Sequence, residues 1–156
     1  MKQSDREKLL LRKLKEDIDI LKSAINTLQY SYDKCKKIGI KTDYSLDELE
    51  SFESLTSRFA RLSDIITQKI FKTIVELSLE DIYTFIDRIN YMEKLEIIES
   101  STIFKEIRKI RNEISHEYII EDLSELFEDV LEYSRILFKT VDRIEAFCAK
   151  NYFKSS

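Results

Sequence analysis

The chain contains no proline, no tryptophan and a single glycine, Gly39, among 156 residues. Sheet proteins draw on glycine and proline for their turns. With that supply missing and Leu, Ile, Lys and Glu abundant, composition predicts an all-α fold, an up-and-down bundle of about five helices without a sheet. Cysteine is scarce too. Cys35 and Cys148 stand far apart, which argues against a metal site and fits a reducing compartment, the cytoplasm, better than a disulfide framework. Charges interrupt every apolar run before it reaches the length of a membrane span or a signal-peptide core, so no membrane partner is expected. The formal net charge of −4 provides no global attraction to nucleic acid. No DNA partner is expected, and any RNA contact has to come from a local basic patch. The length suits one domain, residues 1–156, large enough to bury a core unaided.

Helix signals follow one another along the chain. Ser4 and Glu7 have capping-box spacing, and Leu11, Leu14, Ile18, Leu21, Ile25, Leu28, Tyr32 and Cys35 then recur at alternating four and three. That predicts one long helix, packed lengthwise against another and closed at Gly39. The run Lys34, Lys36, Lys37 at its end suits the helix dipole. A second capping box, Ser45 with Glu48, opens a helix reaching about Leu77. Within it the segment SRFARLSDIITQKIFK is locally basic: Arg58, Arg61, Lys69 and Lys72 stand against Glu53 and Asp64. Arg58 and Arg61 share a face, and a solvated face with Arg61 paired to Asp64 is the plainest reading. A third helix is expected from Ser78, with Asp81 three residues later. From Glu76 to Glu99 seven acids face two bases, so this face repels RNA. Ser100 and Ser101 open the next helix. The last runs from about Leu123 to Lys150, with Leu126, Phe127, Val130, Leu137, Val141, Ile144 and Cys148 inward.

The stretch from Thr102 to Tyr118, TIFKEIRKIRNEISHEY, holds the only histidine. On a helix at about 100° per residue, Ile103, Ile107, Ile110 and Ile114 form one apolar stripe. Arg111 borders that stripe. Asn112 and His116, four residues apart, are expected as neighbours on the opposite side. Histidine exchanges a proton near neutral pH, and arginine is a permanent bidentate phosphate binder; the pair suits phosphodiester chemistry. Asp122, Glu125, Glu128 and Asp129 then sit at the start of the last helix, where Glu121 or Asp122 could hold His116 or Arg111.

The R-x4-H-x-Y arrangement of Arg111, His116 and Tyr118, with Asn112 after the arginine, resembles the HEPN superfamily and, more closely, its HepT-like toxins. The segments RFxRLSD with QKxF, from Arg58 to Phe71, and TFIDRINYMEKLEII, from Thr84 to Ile98, resemble this subgroup too. The likeness covers about Ser45 to Val141. It implies a metal-independent ribonuclease without cofactors, working as a homodimer with a composite cleft. It further implies that Arg111, His116 and Asn112 act on RNA and that Arg58, Arg61, Lys69 and Arg108 help bind it. It also implies a minimal nucleotidyltransferase antitoxin that adenylylates Tyr118. An alternative within the same resemblance is a non-catalytic nucleotide-binding or substrate-binding partner subunit of such a nucleotidyltransferase. Outside it stands a plain helical interaction protein with His116 on its surface.

Overall fold

The computed structural model describes residues 4–116 and 123–154, and within them the chain is all α-helical. Helix α1 spans Asp5–Ile38. Ser4 accepts the Glu7 N–H at 3.0 Å, and Gly39, at φ 79°, donates its N–H to the Cys35 carbonyl and ends the helix. The first turn is exposed. The buried side runs through Leu14, Ile18, Leu21, Leu28, Tyr32 and Cys35, as the seven-residue period requires, but at its start Leu10 is buried and the expected Leu11 only half-buried.

Helix α2, Leu46–Asp64, opens with both halves of the capping box: Glu48 N–H to Ser45 Oγ at 3.2 Å and Ser45 N–H to Glu48 Oε1 at 2.9 Å. It continues without a break through a π-helical turn, Ile65–Ile70, into α3, Phe71–Leu77. This long rod lies along α1, with the last helix, α6, Leu123–Asn151, against both. At its lower end Phe52 stacks on Phe127 at 4.4 Å, and Tyr44 meets both rings edge-on.

The third predicted helix starts later than its expected serine. Ser78 closes α3 instead, turning its hydroxyl back to the Ile74 carbonyl at 2.8 Å. Leu79 then adopts φ 60°, which no helix continues through. The cap is Thr84, whose Oγ1 accepts the Asp87 N–H at 3.1 Å and starts α4, Phe85–Lys94. After a turn with Glu96 at φ 62°, Ser100 caps α5, Ser101–Ile114. Helix α6 spans Leu123–Asn151 and buries all seven residues assigned inward from periodicity. No helix among the described residues is long and apolar enough to cross a membrane.

Candidate functional site

Helix α5 is built to present its last turn. Phe104, Ile107 and Ile110 are buried, and Ile103 and Ile114 are half-buried, so the apolar stripe docks the helix on α2 and leaves Arg108 and Asn112 outside. Arg111 lies at the border and crosses to α2. Its Nε donates to Asp64 Oδ1 at 2.9 Å and its Nη2 to Asp64 Oδ2 at 2.8 Å, a bidentate fork of the kind carboxylates prefer. Its Nη1 donates to the Ser115 hydroxyl, which also reaches the Arg111 carbonyl at 3.4 Å. The hydrogen bonds to Asp64 hold the Arg111 pKa above the ordinary arginine value. A guanidinium carries five N–H donors. Among the described residues three are committed, and the two that remain are one on each terminal nitrogen, a pair suited to two oxygens of one phosphate.

Asp64 is the last α-helical residue before the π turn. There Ile65 shares its N–H between the Arg61 and Leu62 carbonyls, and Phe71 N–H reaches Ile66 rather than Thr67. The Thr67 carbonyl has thus lost its ordinary donor, and Arg88 of α4 supplies one at 3.0 Å. Such single π turns cluster at functional sites. Here the turn sets the angle between the end of α2 and the residues after it.

Two recesses flank the Asp64–Arg111 pair. The wide one, about 750 Å³, lies toward α1: Arg61, Lys69, Arg111 and Ser115 line it over an apolar floor that includes Ala60 and Ile65. Three cations and one acid meet there, and that acid is already bonded to Arg111. The narrow one, about 130 Å³, lies toward α4 and is lined by Gln68, Phe85, Arg108 and Asn112, again with Asp64 and Arg111. Arg108 sits over the Phe85 ring at 4.3 Å from its centre.

The sequence-predicted residues are therefore divided. Arg61 and Lys69 share the wide cleft with Arg111; Arg108 and Asn112 share the narrow one. Arg58 joins neither. It turns toward α1, donating to Ser31 Oγ at 2.7 Å and the Thr27 carbonyl at 3.3 Å, so it ties two helices together and does not line the cleft that Arg61 lines. Asp64 pairs with Arg111 rather than with Arg61. His116 is exposed and lines neither recess. It was expected one turn above Asn112 on a continuous helix, but α5 ends at Ile114, and His116 N–H bonds back to Glu113 at 3.1 Å in a tighter turn. The Ser115 side chain bonds back to the Arg111 carbonyl within that last turn. Tyr118, Glu121 and Asp122 lie outside the described residues.

Sequence reasoning missed Asp64, Ser115, Arg88 and the π turn. Asp64 was conspicuous as an acid within a basic segment, and Ser115 as the residue four after Arg111. IITQKI carries no glycine or proline to mark the π turn. Comparison with known protein families, with curated proteins and with solved structures finds no match to this chain.

Proposed function

We propose that this chain is a HepT-like ribonuclease, the toxin of a toxin–antitoxin pair, that cleaves RNA without a metal. The observation that carries the reading is Arg111, fixed by Asp64 and Ser115 at the rim of a cationic cleft, with two N–H donors that no other described residue takes. In the reaction a ribose 2′-hydroxyl attacks the adjacent phosphate. The bond to the 5′-oxygen breaks, a 2′,3′-cyclic phosphate forms, and the 5′-oxygen leaves with a proton. Arg111 stabilises the charge growing on the phosphoryl oxygens, and its orientation is set before substrate arrives. His116 takes or returns the proton, a role worth about 10² to 10⁴ in rate. Asn112 orients one of these two side chains.

Asn112 and His116 both face out from the protomer. A two-fold dimer with the ends of two α5 helices side by side gives His116 a cleft to work in. Tyr118, two residues beyond His116, is the position at which a minimal nucleotidyltransferase adds AMP in this reading. An adenylate there adds a negatively charged phosphate that competes with RNA for the cationic site, and so switches the protein off. A second reading, a nucleotide-binding partner subunit that does not cleave, is favoured by one observation: His116 lines neither recess of the protomer.

Expression in a bacterial host tests the toxin. Growth arrest is expected for the native chain and relief for Arg111→Ala and for His116→Ala, each with near-native thermal melting. Arrest that persists in both variants refutes the ribonuclease reading.

A further inference from the structure

The narrow recess carries more than a wall of the site. It is about 130 Å³ against about 750 Å³ for the cleft beside it, so it takes one planar ring and not a stretch of chain. Gln68 and Asn112 line it, both exposed, and among the described residues neither side-chain amide makes a hydrogen bond. Each amide offers a donor and an acceptor side by side. Next to them Arg108 lies over Phe85 at 4.3 Å, and a guanidinium held over a ring leaves its far face as a stacking plate for a base.

The charge points the same way. Arg88, which donates to the carbonyl of Thr67, a residue of the recess wall, has its pKa pushed down by burial first and by the positive charge of Arg108 second. Arg88 and Arg108 thus lie close enough to repel each other, and an anion bound nearby relieves that repulsion. Arg111 lines both recesses, so a phosphate on its two remaining N–H donors places the attached nucleoside at the mouth of the narrow one.

From this juxtaposition we infer that the narrow recess is a base-reading subsite that selects adenine, with Gln68 and Asn112 on its edge and Arg108 against its face. Adenine sets a donor beside an acceptor on two edges, N6–H with N1 and N6–H with N7, one for each of the two amides, whereas cytosine does so on one edge only, N4–H with N3. The inference rests on the RNA reading above and adds a preference to it.

The test is binding of fluorescently labelled oligo(A) and oligo(C) hexamers, measured by anisotropy, to the native chain and to Gln68→Leu, both in a His116→Ala background that keeps the RNA whole. Gln68 is exposed, so the substitution leaves packing intact. Oligo(A) is expected to bind about tenfold more tightly than oligo(C), the discrimination one good bidentate pair supplies. Gln68→Leu is expected to abolish that difference while leaving oligo(C) binding unchanged. Equal binding of the two oligomers to the native chain, or a preference that survives Gln68→Leu, overturns the subsite and leaves the RNA reading standing. Failure of both oligomers to bind a folded protein refutes the RNA reading, and the subsite with it.

Discussion

Arg111 is asked to do two things at once, to brace α5 against α2 and to keep two donors ready, and the first can be weighed. A hydrogen bond to a charged group contributes about 1.5 to 3 kcal/mol when well shielded, whereas an exposed ion pair contributes about 0.2 to 1 kcal/mol. The Asp64 side chain is 43% exposed and that of Arg111 29%, so solvent screens the pair. Its bidentate geometry places it at the upper end of the exposed range, about 1 kcal/mol of coupling. Urea and thermal unfolding of the native chain, Asp64→Asn, Arg111→Ala and the double variant measure this directly. Each single substitution should lower the melting temperature by about 2 to 4 °C, the shift about 1 kcal/mol produces in a chain of this size. The double variant should lose little more than either single one. Strict additivity would falsify the clamp. A loss of several kcal/mol from Arg111→Ala alone would show that Arg111 is a packing residue, and activity lost in that variant would then say nothing about chemistry.

Other consequences follow from groups away from the clefts. Asp17 of α1 is 6% exposed, and its Oδ2 has no hydrogen-bond partner among the described residues; Asp17→Ala should therefore stabilise by about 1 kcal/mol, read as a rise in melting temperature, and a comparable fall would reject this. Ser45→Ala removes half of the box that opens α2 and should cost about 1 kcal/mol in urea unfolding, an unchanged midpoint counting against the cap. Burial raises the Cys35 thiol from 9.0 to about 11, the Cys148 thiol to about 12 and the Tyr152 hydroxyl to about 12. In the unfolded chain these groups ionise first, so that state binds fewer protons, and the stability they provide is whole below about pH 9 and is lost as pH climbs toward their native values. Urea midpoints should fall between pH 8.5 and 11, and a flat profile would contradict the assignment.

The fold was legible because its signals are local or periodic. Serine caps at Ser45 and Ser100, the lone glycine at 39 and the apolar spacing of the last helix all act through neighbouring residues, and each appears where the pattern put it. Ser78 misled because a serine before an acid suits a helix start, while a serine at a helix end can bond backward to the carbonyl four residues earlier, as it does. The site was half legible. Arg111, Asn112 and His116 are marked by residue type and spacing, but the carboxylate that orients Arg111 comes from 47 positions earlier in the chain. Only the docking of α5 on α2 brings the two together. Nor does periodicity register a π turn, whose extra residue costs no apolar position when Ile65, Ile66 and Ile70 are all buried.

If Arg111 and His116 cleave RNA together, the decisive observation is the product formed from a defined single-stranded RNA incubated with purified protein in EDTA. The native chain should yield fragments ending in 2′,3′-cyclic phosphate, identified by mass spectrometry, while Arg111→Ala and His116→Ala each slow their formation by about 10² or more. RNA left intact by the folded native protein, or cut equally by all three, would contradict the account.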